Sequence, residues 1–402
     1  MYGRTLCVVA DKIATITNNT KNQNNNPNLK NLTRTDELYY TIALLRIEKV
    51  GDITARELIA HFGGAAAVFR ASVKDILKTP NVGAVIAENI KKFDNWARID
   101  AEMRFLERNN ITATIYHEKQ YPQRLVHFND APSIVYQRGD WNANQTERIV
   151  GIIGTRKPTQ YGINFTEKLV AALQSYNVTV ISGLAYGIDG VAHRAALEQK
   201  MPTVGVLAHG LQKIYPPAHE KIAQRMWQEG GALLTEFPSG TEADRENFPR
   251  RNRIVAGLCD CLVVAETAHK GGSMITAAIA NEYNKDVFAV PGRVNEGISG
   301  GCNFLIKSQK ANLIESVEDL VYLMRWHETA EQPPKNVQSQ LFLELTGEDK
   351  IIVDALAEQA EQAIDALAYR TAIPMSRLSA LLLGLEFSGL VRSLPGKRYS
   401  LV

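Results

Sequence analysis

The sequence of 402 residues has no apolar stretch near the ~20 residues needed to cross a bilayer. The N-terminal apolar run at residues 6–10 is cut short by Asp11 and Lys12, so neither a membrane span nor a secretory signal is expected, and the predicted location is the cytoplasm. Cysteine is scarce. Cys7, Cys259, Cys261 and Cys302 form no CxxC pair and stand beside no histidines at zinc spacing, which excludes a disulfide scaffold and a structural zinc site. Cys259 and Cys261 border an apolar run and read as buried thiols without chemistry. Excess charge is also missing: 45 basic against 43 acidic side chains give a net charge of +2. A globally polycationic surface is thereby excluded, and any nucleic-acid site must be a local patch. The asparagine-rich tract at residues 18–31 cannot bury apolar surface, so residues 1–33 are expected to be a disordered leader or the product of a start codon set too far upstream.

What the sequence does contain is organised in three parts. Residues 35–115 carry apolar positions at helical spacing in ELYYTIALLRI, ITARELIAHF and VIAENIKKF, and predict a domain of short helices. Residues 116–325 alternate apolar strand, glycine-rich turn and amphipathic helix; RIVGIIG, VTVISG, PTVGVLA, ALLTEF, CLVVAE and DVFAV are the strands. That alternation predicts an α/β fold, a Rossmann-like doubly wound parallel sheet. A polar, proline-containing linker follows at 326–344. Residues 345–402 read as short helices and then two strands around the Pro395-Gly396 turn, the order of a winged helix.

The helical part repeats a hydrophobic-glycine turn, once at Val50-Gly51 and once at Val82-Gly83, each opening a new helix. These resemble helix-hairpin-helix (SAM-like) units, whose exposed amides can hold a phosphate oxygen without reading sequence. Arg46, Lys49 and Arg56 flank the first turn, but only Lys78 supports the second. Such turns also simply connect packed helices, and that reading is preferred; Gly51 and Gly83 remain possible backbone contacts.

Ligands of open parallel sheets gather at the carboxyl ends of the strands, so four loops carry the functional expectation. Gly154-Thr155-Arg156-Lys157 offers a hydroxyl, amides and cations at a helix start, with glycine keeping the approach open. Ser182-Gly183 stands where a dinucleotide-binding enzyme places its ribose-binding acid, so that cofactor is excluded. Downstream, Asp189 and His193 share a helix face; without a third ligand Asp189 is expected to satisfy helix-start amides rather than hold a metal. Phe248, Arg250, Arg251, Asn252 and Arg253 open another helix, where concentrated guanidiniums call for a polyanion and Phe248 can stack on a base. Lys270-Gly271-Gly272-Ser273 is a further anion cradle, without the Lys-Ser/Thr ending of a Walker loop. No single loop joins nucleophile, base and orienter, which points to binding without catalysis, metal or cofactor.

Taken in order, GIIGTRKPTQYG, SGLAYGIDGVAH, KIYPPAH, FPRRNRIVAGL, KGGSMITA, FAVPG and SGGCNFLI resemble the DNA-processing protein A (DprA/Smf) family over about residues 35–402. The resemblance implies a cytoplasmic protein that binds incoming single-stranded DNA in natural transformation, forms a homodimer through the Rossmann-like domain, and loads the RecA recombinase. It implies a DNA pocket at Gly154-Thr155-Arg156, residues 248–253 and residues 270–273, with Lys213 as a further basic residue. The winged helix, with Arg377 as the one cation of its expected recognition helix and Glu386 opposing it, is expected to contact protein more than duplex. Two rivals stand against this reading. One is a nucleoside-monophosphate phosphoribohydrolase, which needs a glutamate where Met274-Ile275-Thr276 follow the glycine turn. The other is a protein-binding scaffold.

Overall fold

The alternating strands and glycine-rich turns fold as one twisted sheet in a computed structural model that describes residues 33–326, 347–358, 362–388, 390–394 and 398–401. The expected leader apart from Thr33, and the expected linker apart from Trp326, lie outside these residues. The described residues up to 326 form one unit, and those from 347 onward form a second.

The first unit opens with helix α1 (Arg34–Leu45), started by a reciprocal capping box in which Thr33 and Asp36 satisfy each other's backbone amides. Helices α2 (Asp52–Phe62), α3 (Ala65–Arg70), α4 (Val73–Ile76), α5 (Ala84–Lys92) and α6 (Trp96–Arg108) follow. Leu44, Ile47, Leu58, Val68, Ile76 and Ile90 give the hairpin region its own small core. The helical reading of residues 35–115 needs a correction at its end. Ile111–Ile115 is strand β1, pairing antiparallel with β2 (Ile134–Arg138). Its alternating ITATI pattern buries Ile111, Ala113 and Ile115 against Leu38, Ile42, Ile99 and Leu106, so α1 and α6 cover part of the sheet.

The six strands read from the sequence are all present: β3 (Arg148–Gly154), β4 (Val178–Ser182), β5 (Thr203–Val206), β6 (Ala232–Thr235), β7 (Cys261–Glu266) and β8 (Asp286–Ala289). A short β9 (Asn312–Leu313) completes the order β1-β2-β6-β5-β4-β3-β7-β8-β9, parallel throughout except for the pairings of β2. The direction of winding reverses between β3 and β7, which makes their carboxyl ends the topological switch point. Alternate residues of each strand serve opposite faces. Ile149, Ile153, Ile181, Val206 and Val264 pack under α7 (Asn247–Leu258) and α8 (Gly272–Glu282). Val150, Ile152, Val180 and Val263 pack under α9 (Gln160–Leu173) and α10 (Ile188–Glu198), the two helices that follow β3 and β4. Each such aliphatic side chain contributes about 1.5–3 kcal/mol by leaving water.

The second unit places three helices, Glu348–Glu358, Ile364–Thr371 and Met375–Phe387, against a three-stranded antiparallel sheet of Gln362–Ala363, Arg398–Leu401 and Val391–Leu394. Ile352, Leu356, Leu367, Leu378, Leu382 and Val391 form its core. Arg377 is ion-paired with Glu348 at 2.6 Å, and Glu386 accepts from the Ser393 hydroxyl at 2.7 Å.

Candidate nucleic-acid interface

The loops leaving β3, β4 and β5 meet the N-terminal turn of α7 in a cleft lined by Arg156, Gly183, Tyr186, His209, Tyr215, Phe248 and Arg251. Arg251 forms its floor and is 4% exposed. Its Nη1 donates to the carbonyls of Gly183 and Val206, at the ends of β4 and β5, and its Nε donates to Asn252 Oδ1 at 3.1 Å. Nη2 makes no hydrogen bond to the described residues. Burial brings the guanidinium down to about 10, which leaves it charged at neutral pH, with Asp189 opposing the shift and Arg156 adding to it. A Cβ on Gly183 would stand 2.6 Å from the Arg251 guanidinium carbon, so this strand end must be glycine for the cation to lie there.

Phe248 is half-buried, with the Arg156 guanidinium 5.2 Å and that of Arg251 5.8 Å from its ring centroid. Arg156 itself is exposed. The result is an aromatic ring with two cations close to it, and no carboxylate among the cleft residues. His209 adds a buried imidazole whose Nδ1 contacts the Gly210 carbonyl at 2.8 Å while Nε2 has no hydrogen-bond partner. Burial lowers the pKa of this ring.

Comparison with known proteins matches this architecture. The profile of the DNA recombination-mediator protein A family covers residues 112–325, that of the DprA winged helix domain residues 329–397, and a helix-hairpin-helix motif residues 41–99. The chain belongs to the DNA recombination-mediator protein A family. Protein Smf of Synechocystis is 29% identical over 90% of this chain and 98% of its own length. Protein Smf of Escherichia coli is 33% identical over 74% of this chain and 79% of its own. The crystal structure of DNA processing protein A from Streptococcus pneumoniae superposes with a TM-score of 0.62 at 28% identity, covering 72% of this chain and 98% of that one. The family is one of DNA-binding, non-catalytic proteins.

Within this family member, the sequence-selected residues separate into those that reach the cleft and those that do not. Arg156, Phe248 and Arg251 reach it; Lys157 is exposed on the adjoining turn. Arg253 does not, and its place in the expected polyanion-binding cluster is corrected. It is buried and paired with Glu236 at 2.6 Å and with Asp52 at 3.5 Å. Arg250 shares Glu236 at 3.0 Å. The repulsion that suggested an external anion is relieved from within, by a carboxylate just after β6. Lys213 is likewise ion-paired, with Glu242.

The first loop is corrected in the same sense. Glu266, at the end of β7, accepts from the Thr159 amide at 2.7 Å and the Thr159 hydroxyl at 2.6 Å, so a protein carboxylate already occupies the start of α9. Thr155 donates its amide to the Glu266 carbonyl at 2.7 Å. Gly154 is required by packing rather than by ligand approach, because a Cβ there would fall 2.5 Å from Ile188. Gly187, at φ +82°, brings the next loop against the Thr155 carbonyl, where a Cβ would stand 2.1 Å away. Lys270, Gly271, Gly272 and Ser273 follow β7; Lys270 and Gly272 are exposed and Ser273 is buried, and none lines the cleft. Gly271 caps α8 without a side-chain hydrogen bond.

Asp189 accepts from the amides of Gly183 at 3.1 Å and Ala185 at 3.2 Å, which lie in the loop before α10 and not at the helix start where the sequence places its role. Burial pushes its carboxyl up, and the Arg251 guanidinium pulls against that shift. His193 contacts the Thr203 hydroxyl at 2.7 Å instead of Asp189, and no cluster of metal-ligating residues occurs among the described residues. No helix among them is long and apolar enough to cross a membrane. Cys259, Cys261 and Cys302 are buried free thiols. Gly51 and Gly83 cap α2 and α5 with open space where a Cβ would sit. Arg56, however, is spent on the carbonyls of Ala131 and Asn129, and Asp52 accepts from the Ser133 amide at 2.6 Å, which docks the first hairpin on the sheet unit. Tyr186, Tyr215 and His209 are not singled out by any motif in the sequence. Their signal was position alone, one loop beyond a strand end, without a charge or glycine pattern.

Proposed function

We propose that the chain binds single-stranded DNA at the carboxyl ends of β3, β4 and β5. The observation that carries this is the Phe248 ring with the Arg156 and Arg251 guanidiniums close to it in a cleft free of carboxylates. An aromatic face accepts any unstacked base, while neighbouring cations bind the phosphates that flank it. A paired base has no such face to offer, so duplex is disfavoured. Membership in a DNA recombination-mediator family supports the same reading. We infer further that the bound strand is incoming DNA in transformation, held in the cytoplasm, protected by a homodimer and passed to a RecA-type recombinase, a reading that the family membership supports.

Hydrolysis of nucleotides finds no support, because no carboxylate lines the cleft and Met274-Ile275-Thr276 follow the glycine turn of α8. The test is a fluorescence-anisotropy titration of oligothymidylate and of a duplex of equal length over a salt series. Tighter binding of the single strand, weakening steeply with salt, supports the function. Equal affinity for both, or no salt dependence, refutes it.

A further inference from the structure

Tyr186 and Arg156 are each shared between the cleft just described and a second, wider one lined also by Lys157, Arg194 and His219. This second cleft lies on the α9 and α10 side, away from Phe248 and Arg251. Arg194 projects from α10, is exposed, and forms no ion pair or hydrogen bond with the described residues. The Lys157 ammonium is in the same condition. Both differ from Arg250, Arg253 and Lys213, each of which is neutralised by a carboxylate. None of the residues lining this cleft is acidic. Of the two acids on α10, Asp189 is buried and committed to the Gly183 and Ala185 amides, and Glu198, one turn beyond Arg194, does not line this cleft. Tyr186 is 46% exposed, with its ring edge against His219 at 5.5 Å between centroids.

Resting on the single-strand reading above, we propose that the second cleft is a further subsite of the same interface. In it Arg194 and Lys157 hold the next phosphate of the bound strand, and Tyr186 stands as a stacking wall between successive nucleotides. Two unpaired cations, one exposed aromatic ring and a shared border arginine are what a continuing sugar-phosphate chain requires. An isolated mononucleotide filling only the first cleft does not reach Arg194 or Lys157.

The experiment measures affinity against length, using thymidine monophosphate and oligothymidylates lengthened one nucleotide at a time. Wild type should gain affinity as the chain extends into the second cleft. Arg194→Ala combined with Lys157→Ala should bind the mononucleotide like wild type, lose part of that gain, and show a salt slope lower by about 0.7 for each lost phosphate contact. Tyr186→Ala should reduce the gain, and Tyr186→Phe should restore it. Wild-type behaviour of the double variant at every length, with Arg156→Ala still weakened, overturns the second subsite and leaves the first intact. Wild-type behaviour of Arg156→Ala as well overturns both.

Discussion

Two of the arginines that the sequence singles out should fail in opposite ways when truncated. Arg253 lies beside Glu236, whose side chain is 3% exposed, at 2.6 Å. Without it Glu236 keeps only Arg250, at 3.0 Å and 55% exposed, while its Oε1 already lacks a hydrogen bond. Breaking a buried pair from one side typically costs 3–5 kcal/mol. With Arg250 remaining, about 3 kcal/mol is expected for Arg253→Ala. Burial already raises the Glu236 carboxyl, and Arg253 is the leading opposing influence. Removing Arg253 raises it further. A carboxyl whose folded pKa exceeds its unfolded value binds protons preferentially in the folded state, so the deficit of the variant should shrink as the pH is lowered from 7 towards 5. Arg156, exposed and with its guanidinium near the Phe248 ring, should change stability by less than about 0.5 kcal/mol when replaced by alanine, yet weaken DNA binding and reduce its salt slope. All four tryptophans precede residue 327, so urea denaturation followed by their fluorescence reports the first unit. Arg253→Ala as stable as wild type but defective in DNA binding would refute the division of roles.

Other consequences follow from the same contacts. Gly183→Ala should displace the Arg251 guanidinium, lowering single-strand affinity and costing about 1–3 kcal/mol; a wild-type affinity and unfolding curve would contradict the clash. Burial depresses His193 to about 3, so the folded protein holds it neutral while the unfolded chain protonates it below about pH 6.5. Its stabilising contribution is therefore intact above that pH and lost on acidification. Relative to His193→Asn, wild type should lose about 1.4 kcal/mol per pH unit below pH 6.5 in urea titrations, and a constant difference would exclude buried neutral histidine. Burial pushes the Cys259 and Cys302 thiols up to about 12, and Cys261 well above its ordinary value. Peptides containing them should take up a thiol reagent only after unfolding, as read by mass spectrometry.

The sheet was legible because buried parallel strands are short, uninterrupted apolar runs, and RIVGIIG or CLVVAE permits little else. Strand β1 was not, since five residues attached to a helical region carry too little periodicity to stand apart. For the site, the sequence points to a set of strand ends but cannot distribute the charges among them. Arg251 and Arg253 are two residues apart and have the same chemistry. Helix geometry turns one towards the carbonyls of Gly183 and Val206, the other towards Glu236 and Asp52. Glu266 illustrates the same limit, since only the pairing of β3 with β7 brings it to the start of α9, more than a hundred residues away in sequence. Gly154 reads in the sequence as an opening for a ligand, whereas in the fold it makes room for Ile188, and Gly183 makes room for a guanidinium.

The most direct test of the central claim is photochemical. Oligothymidylate carrying a photoreactive base, crosslinked to the protein and mapped by mass spectrometry, should give adducts at Phe248, Tyr186 and Tyr215, and Phe248→Ala should remove the first of these. Adducts confined to the winged helix or to the hairpin turns at Gly51 and Gly83, with the strand-end cleft unlabelled, would contradict the account.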